Sequence, residues 1–160
     1  RSIWVTGVQT CALPIFYDTR AGRVGVSICY DRHYPELMRA LALDGADLVV
    51  VPQAGAVGEW PEGLFEAEMR VASFQNGYYV ALCNRVGREE RLEFSGESFV
   101  TAPDGGVIAR APVSKDHILY ADIDPNACRD SHARRLFMQH RRPEIYARWF
   151  ASPAVTPRPS

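Results

Sequence analysis

Apolar positions along this chain change their spacing from segment to segment, and each spacing predicts an element. The run RVGVSIC, 23–29, is apolar and β-branched, so it predicts a buried strand with a cysteine as its last residue. The segment PELMRALALDG, 35–45, opens with proline, has glutamate in its first turn and ends on glycine, which predicts a helix. The run ADLVVVPQ, 46–53, predicts a second buried strand, stopped by its proline. A strand, helix, strand unit of this kind requires the two strands to lie parallel.

The rest of the chain predicts another long helix and several strands. The second helix is predicted to open at Pro61 and run to about Gln75, and five residues share one of its faces: Leu64, Phe65, Glu68, Val71 and Ala72. Further elements are predicted as strands at 78–87 and 117–124, a hairpin around the turn PDGG at 96–112, and a final helix at 125–137. The sum is an α/β domain with a mixed sheet.

The two ends of the chain are expected to lie outside the folded domain. Within residues 1–15, the segment VTGVQTCALPI is the in-frame translation of a widely used sequencing-library adapter; a short signal peptide is the alternative interpretation. We hypothesise that residues 1–15 are not native, which removes Cys11 from the candidate site; the same codons reappearing from a different library would refute this. The domain then spans 16–150, and the proline-rich residues 151–160 are predicted to fray.

Composition and charge narrow the class of protein. With 160 residues, 47% of them apolar, the chain is long enough to bury a core and is expected to be one soluble globular domain or a piece of one. The formal net charge is only -1 and the basic residues are scattered, which argues against nucleic acid or an anionic membrane as a partner. No apolar run reaches membrane-spanning length.

The cysteines and histidines predict neither disulfides nor a metal site. The four cysteines show no paired spacing, and three histidines stand at no ligand spacing with cysteines or acids: His117, His132 and His140. Reduced thiols in a cytoplasmic setting are therefore expected. Cys83 is expected to pack among the core positions of its strand, and Cys128 to lie in a helix.

The strongest candidate for chemistry is the stretch SICYDRHYPE, 27–36, where charged residues follow the predicted strand. Catalytic groups of parallel sheets collect where strands end and helices begin. Cys29, six residues before Pro35, is expected near the positive end of a helix dipole, which favours the thiolate. The N–H of Tyr30 is then placed to hold a developing oxyanion, as in a nucleophile elbow. On these residues alone, a buried packing cysteine is the commoner alternative.

The motif context resembles one enzyme family. The segment GRVGVSICYDRHYPE resembles the nucleophile segment of the nitrilase superfamily, the carbon–nitrogen hydrolases. The match continues in order through GADLVVVPQA, EAEMRVASFQNGYYVALCNRVG, FSGESFVTAPDGGVIA and FMQHRRPEIYA, so it covers nearly all of 18–149. The order Cys-Tyr-x-Arg-His-x-Pro is most similar to the branch of β-ureidopropionases and N-carbamoyl-amino-acid amidohydrolases. The resemblance implies an α-β-β-α sandwich, N-terminally truncated here, that takes a small-molecule substrate, uses no cofactor or metal, and forms homo-oligomers.

Arg32 and His33 follow the candidate nucleophile closely. The planar fork of Arg32 suits a carboxylate, and the resemblance implies that an arginine at this place reads the acid group of an N-carbamoyl amino acid. The alternative is a structural ion pair with Asp31 or Glu36. His33 is likewise a candidate for contact with substrate, against a satisfied structural role.

Glu68 and Asn84 complete the candidate set. The apolar neighbours of Glu68 on its helix face predict an inward carboxylate that finds Arg32 or Arg70 as its partner, either as a buried ion pair or as a group that tunes the thiol. Asn84 ends a predicted strand, and the resemblance places it near the pocket, although a strand-end amide often satisfies backbone groups instead.

The resemblance also implies a reaction. Cys29 attacks a carbamoyl or amide carbon, a thioester-type intermediate forms, and water releases it. Family members pair the cysteine with a glutamate and a lysine that both lie upstream, whereas nothing expected to be native precedes residue 16 here. The only lysine, Lys115, lies in a turn between predicted strands and is expected to be a solvated loop charge. A generic amidase or nitrilase of the same fold, and a non-catalytic scaffold member, remain the alternatives.

We therefore expect this chain alone to be catalytically dead or nearly so, because its nucleophile lacks both partners. The check is to incubate the purified 160-residue chain with N-carbamoyl-β-alanine and to measure released ammonia. Robust turnover would refute the expectation.

Overall fold

The structure, a computed structural model, describes residues 15–20 and 22–151. The adapter-like segment up to residue 14, with Cys11, and the tail from residue 152 lie outside the described residues. Six strands form the central sheet, in the order β1 (Ile15–Thr19), β2 (Gly22–Val26), β3 (Leu48–Gln53), β4 (Tyr79–Asn84), β7 (Phe99–Thr101) and β8 (Val107–Arg110). A separate two-stranded sheet pairs β5 (Val86–Arg88) with β6 (Glu93–Ser95). The predicted mixed sheet of an α/β domain is confirmed.

Helices and tight turns connect these strands. The α-helices are α1 (Pro35–Leu43), α2 (Leu64–Asn76), α3 (Pro125–Asp130) and α4 (Pro143–Phe150). A 3₁₀ turn, Cys29–His33, precedes α1 and is called the Cys29 turn below; a π-helical segment, Ala133–Phe137, follows α3. Across the described residues, no helix has both the length and the apolar character needed to cross a membrane.

The unit β2–α1–β3 is parallel, as predicted, and β4 continues it in the same direction. The prediction that β2 runs to its cysteine is wrong, because β2 ends at Val26 and Cys29 takes a left-handed backbone with φ 49°. The prediction that Pro52 stops β3 is also wrong. Backbone groups alternate sides along a parallel strand, and the Ser27 N–H donates to the Val50 carbonyl, so Pro52 faces β2 where that strand has already ended. The missing proline N–H therefore interrupts no ladder bond.

Helices α1 and α2 cover one face of the sheet and build the main core. Its fully buried side chains include Leu41, Val49, Val51, Met69, Tyr78 and Val80. On α2 the buried side is formed by Met69, Ala72, Ser73 and Asn76, whereas Val71, predicted to face inward, is 51% exposed. The helix also begins at Leu64 rather than at Pro61. Gly63, directly before it, has φ 79°, which no α-helical residue adopts.

The opposite face of the sheet, called the open face, is only partly covered. It carries Val26, Val50 and Ala81, which are half-buried, and beyond them Pro52 and Cys83, which are exposed. A small cluster packs on its other end, around Tyr79, Val100 and Cys128. The prediction that Cys83 packs in the core is therefore wrong, because alternation along β4 turns Val80 and Leu82 to the helices and Cys83 to the open face. Cys128 lies buried in α3, as predicted.

The predicted strand at 117–124 is wrong. Its side chains do alternate, since Ile118 and Tyr120 are 74% and 82% exposed while Leu119 and Ile123 pack on the small cluster. No strand within the described ranges pairs with this segment, and a strand exists only through its ladder bonds. The remaining hairpin at 96–112 is confirmed as β7 and β8.

Two other predicted elements are divided in the structure. The strand at 78–87 separates into β4 and β5, and the helix at 125–137 is interrupted at Ser131, whose φ −60° and ψ 150° are extended. The Ser131 hydroxyl donates to the Cys128 carbonyl at 2.8 Å and accepts from the Arg134 N–H at 3.3 Å. These local bonds replace helical ones, which is how serine competes with a helix. No predicted element corresponds to β1, β6 or α4.

Two glycines with positive φ differ sharply in the space around them. A Cβ on Gly77 (φ 70°) would lie 2.3 Å from the Ser131 Oγ, whereas a Cβ on Gly45 (φ 87°) would meet nothing within 4 Å. We expect Gly45→Ala to lower the free energy of unfolding by about 1–2 kcal/mol, the left-handed backbone term alone, and Gly77→Ala by at least about 3 kcal/mol. Urea unfolding of both variants measures this, and equal losses would contradict it.

Candidate active site

The Cys29 turn is tied together by its own aspartate. The Asp31 carboxylate accepts from the Ile28 N–H at 3.0 Å, and the Asp31 N–H donates to the Ile28 carbonyl at 3.0 Å. The Tyr34 N–H then donates to the Asp31 carbonyl at 3.1 Å, so the turn leads directly into α1. A short, closed turn of this kind fixes the backbone of the cysteine that begins it.

Cys29 stands at the carboxyl edge of the sheet, where β2, β3 and β4 all end. Its φ of 49° is rare for a residue with a side chain and costs about 1–3 kcal/mol, which the surrounding bonds must offset. Cys29 as a whole residue is half-buried. The next N–H, that of Tyr30, lies at the start of the turn, where helical N–H groups have no partner within the helix. The candidate nucleophile and the candidate oxyanion donor are thus adjacent in the chain.

Arg32 joins the Cys29 turn to α2. Its side chain is only 2% exposed; Nε donates to the Glu68 Oε2 at 3.2 Å and Nη1 donates to the Cys29 carbonyl at 2.7 Å. The guanidinium also lies 4.7 Å from the centre of the Phe65 ring, within range of a cation–π contact. An ion pair is present, but its partner is Glu68 and not Asp31 or Glu36.

His33 meets the same carboxylate from the other side. Its Nδ1 lies 2.6 Å from the Glu68 Oε1, so the two oxygens of Glu68 contact two residues of the turn. The imidazole ring lies 5.0 Å from the Tyr30 ring and 5.0 Å from the Trp60 ring, centre to centre. The predicted inward carboxylate of Glu68 is found with Arg32 as its partner, while Arg70 pairs with Glu66.

Asn84 holds the loop that carries Trp60. At the end of β4, its Oδ1 accepts from the Gly55 N–H at 2.8 Å and its Nδ2 donates to the Gly55 carbonyl at 3.2 Å. Gly55 is required there because a Cβ would lie 2.8 Å from the Phe65 ring. Asn84 therefore bonds backbone and reaches the site through the loop. Sequence reasoning missed Trp60, whose only signal was an aromatic residue in a turn-rich loop after a parallel strand.

Gln53 is a second residue that sequence reasoning missed. It ends β3 opposite Asn84, is 9% exposed, and both atoms of its side-chain amide are buried without a hydrogen-bond partner among the described residues. An amide at the carboxyl edge of a sheet gave no distinguishing signal in the sequence. Lys115, as expected, is exposed; it lies between β8 and α3.

A groove lies beside the Cys29 turn. Its volume is about 970 Å³ and it runs between α1, α2 and α4. Its lining includes Arg32, His33 and Glu68 from the site, together with Tyr146, Trp149 and Phe150. Cys29 is not part of this lining, so the groove does not enclose the candidate nucleophile.

Among the described residues, no three histidine, cysteine or acidic side chains cluster as metal ligands. Burial raises the pKa of the Cys128 thiol to about 11, and the Arg134 charge opposes this shift only in part. Cys128 is therefore a neutral, packed thiol, distinct from Cys29.

Comparison with known proteins finds consistent similarity. The family model described as carbon-nitrogen hydrolase matches residues 2–133. The chain is 35% identical over 150 residues to a β-ureidopropionase of Arabidopsis thaliana, covering 84% of this chain and 36% of that protein. A carbon-nitrogen hydrolase from Helicobacter pylori G27 superposes with a TM-score of 0.76 at 28% identity, over 88% of this chain and 53% of that one.

A second solved structure carries a covalent adduct on a cysteine of its own. It is a mutant amidase from Nesterenkonia sp. AN1 with covalent addition of the acetamide moiety of fluoroacetamide at its active site cysteine, and it matches with a TM-score of 0.68 at 27% identity. The match covers 85% of this chain and 47% of that one. The chain thus spans about half or less of the length of each of these proteins.

The three described cysteines are expected to differ in reactivity. At pH 8 about one Cys128 thiol in a thousand is ionised, because its pKa of about 11 keeps it neutral until the pH approaches that value. Iodoacetamide is therefore expected to modify Cys29 and the exposed Cys83 readily and Cys128 about a hundredfold more slowly, as measured by peptide mass spectrometry. Unfolding in urea serves as the control and should equalise all three. A Cys29 as unreactive as Cys128 would remove it as a candidate nucleophile.

Proposed function

Since the chain belongs to the carbon-nitrogen hydrolase family, we propose that the protein hydrolyses a non-peptide carbon–nitrogen bond in N-carbamoyl amino acids or amines, with Cys29 as its nucleophile. The single observation that carries the proposal is the left-handed backbone of Cys29, φ 49°, at the edge where three parallel strands end. Strained non-glycine residues cluster at functional sites, and a thiol at such a turn is presented to a substrate.

The proposed reaction has two stages. The Cys29 thiolate attacks the carbamoyl carbon, the Tyr30 N–H stabilises the oxyanion, and the carbon–nitrogen bond breaks as the leaving amine takes a proton. Water then attacks the thioester carbon, the carbon–sulfur bond breaks, and carbamic acid leaves and yields ammonia and carbon dioxide. The thiol is restored, and no cofactor is consumed.

The described residues supply the nucleophile but not its acid–base partner. Glu68 has both carboxylate oxygens in contact with Arg32 and His33, so it is not free to activate the thiol or water. Lys115 is exposed in a connecting segment. We therefore place the base and the cation that steadies the oxyanion in parts of the protein other than these residues.

The substrate is proposed to meet the turn on its aromatic side. Tyr30, His33 and Trp60 form a partly exposed group of rings next to the nucleophile, and they suit the amine side of the substrate. Arg32 is proposed to hold the Cys29 turn and not to bind the substrate directly. To bind a substrate carboxylate, its guanidinium would have to give up the hydrogen bond to Glu68. The similarity to the Arabidopsis β-ureidopropionase supports an N-carbamoyl substrate.

A generic amide substrate is the second candidate. It is favoured by the amidase from Nesterenkonia, in which the active site cysteine takes up an acetamide moiety. The family resemblance also supports a homo-oligomer, and the exposed side chains of Val71, Trp149 and Phe150 provide apolar surface on the helical layer. The free thiols Cys29, Cys83 and Cys128 suit a reducing, cytoplasmic compartment.

The test compares ureido, amide and nitrile substrates on the intact gene product. We expect N-carbamoyl amino acids to give the highest kcat/KM and Cys29→Ala to lower turnover by about 10⁴-fold or more, because no other group forms the covalent intermediate. Cys83→Ala, on the open face, is the matched control and should leave turnover unchanged. Undiminished turnover in Cys29→Ala would overturn the assignment, and a preference for simple amides would favour the second candidate.

A further inference from the structure

We infer that Glu68 is a positioning residue whose carboxylate grips Arg32 and His33 and so holds the turn that presents Cys29. The inference rests on the proposed function, in which Cys29 is the reacting group. The contacts of the Glu68 carboxylate go to Arg32 and His33, and neither of them is with the Cys29 thiol. Its action passes through two other side chains, and this distinguishes it from a substrate-binding or catalytic acid.

The Glu68 carboxylate bridges two residues of the Cys29 turn. Glu68 lies on α2, and the Cys29 turn lies more than 30 positions earlier in the chain, so nothing local holds the two together. One oxygen receives the Arg32 Nε at 3.2 Å and the other meets the His33 Nδ1 at 2.6 Å. A carboxylate with one bond to each of two consecutive residues fixes both the position and the rotation of the turn.

Arg32 connects the Glu68 carboxylate to the backbone of Cys29. The same guanidinium that binds Glu68 donates through Nη1 to the carbonyl oxygen of Cys29 at 2.7 Å. The chain of contacts therefore runs from Glu68 through Arg32 to the backbone of Cys29. The backbone of Cys29 is left-handed, a conformation that is unfavourable for a residue with a side chain. It persists only when surrounding contacts hold it.

The Arg32 side chain is buried. It is 2% exposed, and the aromatic face of Phe65 lies against its guanidinium. A buried guanidinium needs a negative partner, and Glu68 is the acid it contacts. Neutralising Glu68 leaves the charge unmatched, and the Arg32 side chain is then expected to move toward water and release the Cys29 carbonyl.

The experiment compares Glu68→Gln with Glu66→Gln. Glutamine keeps the shape of the side chain and removes its charge. Glu66 is the matched control because it lies on the same helix and pairs with Arg70 and Arg110, neither of which is in the Cys29 turn. Hydrogen exchange at the Asp31 and Tyr34 amides, which close the turn, is the first readout.

We expect exchange at these two amides to be about tenfold faster in Glu68→Gln and unchanged in Glu66→Gln. In the intact gene product we expect kcat to fall by about 10 to 100-fold in Glu68→Gln with KM within about threefold, because a displaced nucleophile slows chemistry more than binding. Glu68→Asp, which keeps the charge, is expected to recover part of kcat. Unchanged exchange and unchanged kcat in Glu68→Gln would overturn the inference.

A second variant decides the matter if Glu68→Gln does not fold. His33→Asn removes one arm of the grip and leaves the Arg32–Glu68 pair in place, so faster exchange at Asp31 and Tyr34 is expected without loss of the fold. Exchange requires no substrate, so the two proposals fail separately. Faster exchange in a protein that hydrolyses no carbon–nitrogen bond would support the positioning role of Glu68 and overturn the proposed function. Cys29-dependent hydrolysis that is insensitive to Glu68 would support the proposed function and overturn the positioning role.

Discussion

The parallel pairing of β2, β3 and β4 is the constraint on which the rest of the structure depends. Parallel neighbours need crossover connections, and these are right-handed in almost all proteins. Because the three strands follow one another across the sheet in a single direction, α1 and α2 must lie on the same face. That arrangement builds the core on one side, leaves the open face on the other, and brings the Cys29 turn, the Trp60 loop and Asn84 to one edge.

The same constraint explains how the site combines residues that are distant in sequence. A turn after β2, a loop after β3 and the start of α2 meet because parallel strands end together. The buried Arg32 then needs a counter-charge at that edge, and Glu68 on α2 supplies it. The pair joins α2 to the Cys29 turn, because the same guanidinium also donates to the Cys29 carbonyl.

The sequence predicted the elements whose apolar pattern and end signals lie within one segment. It missed the features that depend on contacts with other segments of the chain. The β2–α1–β3 unit follows from apolar runs with proline and glycine at the right ends, and the resemblance of the Cys29 segment led to the family. The alternating segment at 117–124 has the pattern of a strand but no ladder partner in the described chain, so pattern alone misled. The φ of Cys29 and the double contact of Glu68 arise only from folding, which is why the sequence left the roles of Arg32 and Glu68 open.

The left-handed backbone at Cys29 sets the stability of the fold against the proposed activity at a single position. Glycine adopts that conformation without strain, so a chain that no longer needed its thiol would gain stability by accepting glycine there. Cys29→Gly is thus expected to stabilise the fold while removing the sulfur. A related protein with glycine at this position is expected to keep the fold and to lack the proposed cysteine chemistry.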